Sequence, residues 1–304
     1  MRRSLTLAAS AVLCLGAAPG PLPPVESQLA PPAPAEAKSQ ARVRFAPYRY
    51  DDILWENDRT AHRIYGPALQ AYEPPSGSGI DAWGKLVTYP FMERQLATGK
   101  QHGFHGEGLD FYNVGTSRGA GGLGVWQDHK LWTSRNWAHY RILQDGPQVA
   151  DFTVDYAPWP VDTGRNVWET RRFTLPMGTN FTRMVSMMHS NRKGLLAVAI
   201  GVAKRPTSAQ PGQFIADRVH GRFVFWSPED PDKGAMGVAV MVDPAQIAEV
   251  TEDADNWLVV LKVTSGRPFV YYSGATWSRR GDFPGLKQWR AYVTAQSPDF
   301  VVLR

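Results

Sequence analysis

The chain has 304 residues, with 33 Lys and Arg against 28 Asp and Glu, a net charge of +5. Its one cysteine is Cys14, so beyond it disulfides, Cys-based metal sites and thiol nucleophiles are excluded. The mild positive excess suits an acidic substrate without demanding one, and no concentrated basic run points to nucleic acid.

Arg2 and Arg3 precede an apolar run over residues 5–15 and then the small residues Gly16, Ala17 and Ala18. This order predicts a bacterial-type export signal over residues 1–18, cleaved near Ala18. The run is too short to span a bilayer, and the lipoprotein reading through Cys14 meets Leu13 where a small residue is wanted. A periplasmic or secreted protein is expected. Losing Arg2 and Arg3 leaves 33 − 2 − 28 = +3. Residues 19–43, rich in Pro and Ala, predict an extended, poorly ordered leader. Residues 44–304 are then one domain, ample for a buried core.

Strand signals run through that domain. Residues 152–156 alternate apolar and polar side chains, and residues 195–202 form a small-apolar run suited to a strand buried on both faces. Residues 222–226, 237–242, 257–263 and 268–272 are further strands, separated by turns such as Asp145-Gly146-Pro147 and Ser265-Gly266-Arg267. Over residues 284–295, Leu286, Trp289, Tyr292 and Val293 recur at helical spacing. The fold expected is all-β, a large two-sheet antiparallel sandwich with one C-terminal helix. No repeat and no transmembrane segment is found.

The densest polar cluster holds His102, His105, Glu107, Asp110 and Tyr112, punctuated by Gly103, Gly106 and Gly108. It reads as a direct sugar site, a metal site or a structural turn. No metal-ligand spacing matches it, and neither a metal nor a cofactor is expected. The glycines of residues 115–124 lack the Lys of a phosphate loop and read as a flexible or tightly turned segment. Among 11 Trp, Trp126, Trp132 and Trp277 are candidates to stack on sugar rings, with core filling the ordinary alternative. His139 lies on an expected strand beside Tyr140 and Arg141, and Arg63 and Arg172 are candidates to neutralise a carboxylate.

Three segments together resemble one family. Leu54-Trp55-Glu56-Asn57-Asp58-Arg59-Thr60-Ala61-His62-Arg63-Ile64-Tyr65-Gly66-Pro67-Ala68-Leu69 is similar to the opening signature of the DUF4861 family. His105-Gly106-Glu107-Gly108-Leu109-Asp110-Phe111-Tyr112 with Gly119-Ala120-Gly121-Gly122 resembles its central signature. Tyr271-Tyr272-Ser273-Gly274-Ala275-Thr276-Trp277 with Trp289 resembles its last. The resemblance implies a sandwich like those of galactose mutarotases and some polysaccharide lyases, from secreted proteins of polysaccharide-degrading bacteria. One family member is understood as an oligosaccharide dehydratase. Asn57, Arg59, His102, Glu107 and Asp110 join the three Trp as expected substrate-binding residues.

The expected function is a lyase or dehydratase that performs β-elimination on uronate-containing oligosaccharides. Such a reaction needs a base, an acid for the leaving oxygen and a cation for the substrate carboxylate. His105 or His139 is the expected base, Tyr112 or Tyr140 the acid, Arg63 or Arg172 the cation. An epimerase or hydrolase stays open, with Glu107 and Asp110 as the close acidic pair, and so does a non-catalytic sugar-binding protein. His105, Tyr112 and His139 are expected to face one cleft with an Arg, which requires a bend at Gly106 and Gly108. The partner is an acidic poly- or oligosaccharide, with no nucleic acid.

Overall fold

The computed structural model describes residues 37–302, and the expected signal and most of the leader lie outside them. Strands β1 (Arg42–Ala46), β2 (Asp52–Glu56), β3 (Ala61–Ile64), β4 (Ile80–Lys85) and β5 (Gly108–Leu109) form a five-stranded antiparallel sheet in that order. Short helices α1 (Leu69–Tyr72) and α2 (Met92–Ala97) interrupt it. The first strand begins at Arg42, inside the segment expected to be leader. Ala41 and Val43 are fully buried, so those residues belong to the core.

The chain then enters β6 (Ala120–Gln127) and β7 (Lys130–Trp132) of a second sheet. A third sheet starts with β8 (His139–Asp145), β9 (Val149–Asp162), β10 (Arg165–Pro176) and β11 (Phe181–Ser190). Strand β12 (Leu195–Ala203) returns to the second sheet, and β13 (Gln213–Asp217), β14 (Arg222–Trp226) and β15 (Met236–Val242) to the third. After β16 (Ile247–Glu252) and β17 (Asn256–Thr264), β18 (Pro268–Trp277) fills the centre of the third sheet. Helix α3 (Leu286–Thr294) follows. The second sheet runs β16-β17-β12-β6-β7 and the third β13-β14-β15-β18-β11-β10-β9-β8.

The three sheets make two layers. Trp55 on β2 packs on Phe152 and Phe173 of the eight-stranded sheet, with ring centroids 5.3 Å apart in both pairs. On the other side, the Tyr271 and Ser273 hydroxyls donate to the Gly121 and Ala120 carbonyls of β6 at 3.0 and 2.7 Å. Both five-stranded sheets therefore face the eight-stranded one, and they adjoin through a parallel bridge between Ile80 and Gly119. Helices account for 11% of residues, so the architecture is the expected all-β sandwich, one layer of it split in two. Truncating a buried aromatic such as Trp55 would cost about 3–5 kcal/mol.

Of the glycine run expected to be a turn, residues 115–117 are turn and bend, while residues 120–124 are strand β6. Its glycines serve close packing: a Cβ on Gly121 would lie 2.7 Å from the Ser273 hydroxyl. Helix α3 covers part of the outer face of the eight-stranded sheet, burying Trp289 and Val293 against Val224, Ala239 and Met241. The period expected over residues 284–295 is the one it uses. No helix among the described residues is long and apolar enough to cross a membrane.

Candidate functional site

The first sheet presents two unlike faces. Ile53, Trp55, Ile64 and Ala82 point into the sandwich, while Leu54, Ala61 and Trp83 point outward beneath α2. Arg63 pairs in register with Asp81, on the row next to Ala61 and Trp83, so both lie on the outward face. Residues 99–115 fold over that face and leave a groove of about 870 Å³. Arg49, Tyr65, Glu73, His102, Asp110, Phe111, Tyr112 and Lys233 are among its lining residues.

Arg63 is the anchor of the groove. It donates Nε and Nη2 to Asp81 Oδ2 at 2.9 and 2.6 Å, and Nη2 also to Asp110 Oδ2 at 2.8 Å. Its Nη1 lies 3.8 Å from Asp52 Oδ2. Trp83 adds its indole N–H to the same Asp81 oxygen at 3.1 Å. One cation thus sits among three buried carboxylates. Although burial works against its charge, Asp110 and Asp81 hold the Arg63 guanidinium above its usual range. Burial, followed by the Asp110 carboxylate, pushes Asp81 up to about 8. Burial raises Asp52 to about 6 against the pull of Arg63. The Tyr65 phenol is raised by burial and then by the Asp81 carboxylate, and stays a neutral donor.

His102 extends this chain into the open. Its Nδ1 lies 2.9 Å from the Asp110 carbonyl and 3.7 Å from the Asp110 carboxylate. A carbonyl can only accept, so Nδ1 carries the proton. Nε2 then accepts from the Gln101 amide at 3.2 Å, an assignment that rests on these partners. The His102 side chain is 68% exposed, so its basic nitrogen can be reached from solvent. A linked series results: Asp81 fixes Arg63, Arg63 fixes Asp110, and Asp110 fixes the ring of His102. A base oriented by a hydrogen-bonded partner is the arrangement proton abstraction requires.

The expected site residues divide. Arg63, His102, Asp110 and Tyr112 meet at the groove, although Tyr112 is fully buried and burial pushes its hydroxyl far up. His105 lies in an exposed turn with Nε2 3.0 Å from the Lys100 carbonyl, and it does not line the groove. The bend expected there is present: Gly106 has φ +90, and a Cβ on Gly108 would lie 2.2 Å from the Gly84 carbonyl oxygen. His139 and Arg172 instead share the outer face of the eight-stranded sheet. His139 pairs with Asp155 on β9, and Arg172 with Thr153 two residues away. The Arg172 guanidinium grips Asp151 at 2.8 and 2.5 Å. The expected convergence of His105, Tyr112 and His139 on one cleft is therefore corrected, because the side-chain direction of β8 and the turn at Gly106 point two of them elsewhere.

Several expected binding residues are structural. Asn57 donates to the Pro176 and Thr179 carbonyls at 2.6 and 2.8 Å and accepts from the Arg59 and Thr60 amides. Backbone groups thus occupy the whole amide. Arg59 is half-buried beside Asp58 and Asp282, each at 3.9 Å. Glu107 pairs with Arg94 at 2.5 Å, so it does not face Asp110 as a catalytic pair. Trp126 and Trp132 lie on the β6–β7 hairpin beside His129 and Lys130. Trp277 is 2% exposed and cannot present its ring. It donates to the Lys233 carbonyl at 2.6 Å and packs on Phe111, supporting two groove residues from beneath. Sequence reasoning missed Asp52, Tyr65, Asp81, Gln101 and Lys233. Asp81 did carry a signal, being an acid between Ile80 and Ala82 in an apolar strand.

Fold and site together define a two-layered β-sandwich protein with a polar groove on its outer flank. The chain belongs to the DUF4861 family, a domain of unknown function, whose model matches residues 27–300. It is 31% identical over 266 residues to an uncharacterized protein, P7, of Formosa agariphila, a match that covers 82% of this chain. The chain spans 65% of the length of that relative. Among solved structures, a human-microbiome protein described as a kojibiose phosphorylase matches with TM-score 0.45 and 7% identity, over 85% of this chain and 36% of that one. The galactosidase domain of an alpha-galactosidase–sucrose kinase matches with TM-score 0.33 and 8% identity, over 78% and 43%.

Proposed function

We propose that this protein is an exported carbohydrate-active lyase or dehydratase that performs β-elimination on uronate-containing oligosaccharides. The observation that carries the reading is His102, a groove-lining ring held in one tautomer by Asp110, whose basic Nε2 is covered only by the Gln101 amide that must give way to substrate. In the reaction Nε2 takes the C5 proton, which is acidified by the adjacent carboxylate. The C4–O bond breaks, a C4=C5 double bond forms, and the departing oxygen takes a proton. Tyr65, a half-buried phenol lining the groove, is the proposed acid. Lys233 lines the same groove and is the proposed partner of the substrate carboxylate, whose developing charge must be neutralised. Arg63 takes no such part, because it is buried and its Nε and Nη2 are committed to Asp81 and Asp110. Glu73, which lines the groove with Asp110, is paired with Arg49, and Asp110 with Arg63, which speaks against the two free carboxylates of a hydrolase.

The test is to incubate the purified protein with uronate-containing oligosaccharides and follow ultraviolet absorbance. A conjugated unsaturated uronate gives a rise that His102→Ala abolishes. New reducing ends without that absorbance would make the protein a hydrolase and overturn the reading.

A further inference from the structure

A small pocket of about 180 Å³ lies beside the groove, and His102, Tyr65 and Lys233 are not among its lining residues. Asn113, Val114 and Gly115 line both spaces, so one short loop is the ridge between them. Asn113 and Gly115 are exposed. Gly115 has φ +50, a left-handed conformation that suits glycine. With no side chain at its crest the ridge stays low, and a chain molecule can cross it.

The ridge and the far wall are tied together through the backbone. The Asn113 N–H donates to the Pro206 carbonyl at 2.6 Å and the Lys204 N–H to the Asp255 carbonyl at 2.9 Å. The Arg118 N–H donates to Asn256 Oδ1 at 2.6 Å. The Arg118 side chain is buried, its stem against Gly201 of β12 and its Nη1 donating to the Ser78 hydroxyl at 3.1 Å. Segments 113–118, 203–206 and 254–256, distant in sequence, are thereby fixed around one space. A pocket held in this way has little freedom left to lose when a ligand enters.

Its lining combines an apolar floor with two charged groups. Val114 and Ala203 are buried, whereas Arg205 and Asp255 are exposed. Arg205 Nη1 donates to the Ala254 carbonyl at 3.1 Å. That bond sets the plane of the guanidinium and leaves, among the described residues, its Nε and Nη2 for a ligand. Asp255 Oδ2 accepts from the Thr116 hydroxyl at 2.7 Å, which leaves Oδ1 as an acceptor. A fixed acceptor and a fixed donor over an apolar floor match a sugar, whose hydroxyls donate and accept and whose C–H face is apolar. One carboxylate offsets one guanidinium, so the pocket has no net charge with which to select an acidic unit.

We propose that this pocket is a second sugar subsite, taking a neutral unit of the oligosaccharide whose uronate lies at His102. Asp255 and Arg205 hold the hydroxyls of that unit, and the chain crosses the ridge at Gly115. The inference rests on the groove's taking an oligosaccharide, as proposed above, and not on the elimination itself.

The probes are a glucuronate-containing disaccharide and its tri- and tetrasaccharide homologues extended with neutral sugars. Kd is measured by titration calorimetry on the full chain carrying His102→Ala, where no turnover interferes, and elimination by the unaltered chain is followed by absorbance. The homologue long enough to cross the ridge should bind about tenfold more tightly than the disaccharide, the scale of one or two charge-assisted hydrogen bonds. Asp255→Ala and Arg205→Ala, added separately, should each bring that ratio to within about twofold of unity, and His139→Ala on the opposite face should keep it. Equal affinity at all lengths, or a gain retained by either pocket variant, would overturn the subsite. A gain with length but no absorbance rise in the unaltered chain would support the subsite and sink the elimination alone. Failure of every probe to bind would overturn both.

Discussion

Around Arg63 three carboxylates share one guanidinium, whereas between the layers Glu169 and Arg171 pair one to one. The two clusters use the same residue types at different ratios. The first borders a groove, and its surplus of acceptors holds Asp110 where it can orient His102. The second lies between the layers, where the Glu169 carboxylate accepts from two nitrogens of Arg171 and from the Ser186 hydroxyl. A buried ion pair tells little by its presence. The ratio of its charges, and whether solvent reaches its edge, separate a device that steers a reacting group from one that holds the layers together.

That contrast can be broken first at His102. If the groove cluster exists to orient a base, His102→Ala should lower kcat by about 10²- to 10⁴-fold while the far-ultraviolet circular dichroism stays unchanged. Activity within a factor of two would reduce the groove cluster to a structural element. The stability of the anchor is tested at Arg63. Arg63→Met strands Asp81 and Asp110 in a buried setting and should cost about 3–5 kcal/mol in urea unfolding. The control is Arg172→Met, which removes a partner of Asp151 from a side chain 51% exposed, and should cost no more than about 1 kcal/mol.

His62 sharpens the comparison by pH. It is buried on the inner face of the first sheet, stacked on Trp55, and burial lowers its pKa to about 4 from an ordinary 6.5. A depressed pKa means that the folded state binds fewer protons than the unfolded state. The resulting stability is present above pH 6.5 and drains away as pH falls towards 4, by about 3 kcal/mol in all. Asp52 opposes it: its raised pKa favours the folded state at low pH, a contribution lost as pH rises through about 6. The difference in unfolding free energy between the unaltered protein and His62→Phe isolates the histidine. That difference should shrink steadily from pH 7 to pH 4, and a flat one would mean His62 is not held neutral. The smallest effects belong to His105→Ala and His139→Ala. Both side chains are exposed and away from the groove lining, and each should leave kcat within about twofold, because neither can reach a bound sugar to move its proton.

Local pattern made much of the fold legible. Residues 222–226 read as one strand and are β14, and the periodic stretch at 284–295 contains α3, because alternation and helical spacing are set by which side of the backbone a residue occupies. The polar cluster at residues 101–112 read as the richest ground for chemistry, and four expected residues do meet there. Which histidine serves the groove was not legible. His102 and His105 are three residues apart, and the turn at Gly106 with the Asp110 carbonyl decides that only His102 is held toward the opening.

The sequence by itself determined the strand-rich class, the final helix and the family signatures, since each depends on neighbours along the chain. Only the tertiary structure decided that Arg63, Asp81 and Asp110 form one unit, that Arg172 and His139 share a different face, and that the backbone N–H of Arg118 meets the Asn256 side chain. Those residues come from strands and loops far apart in the chain. Their partnership depends on strand register and sheet packing, which bring distant positions to within a hydrogen bond and leave no mark in local composition.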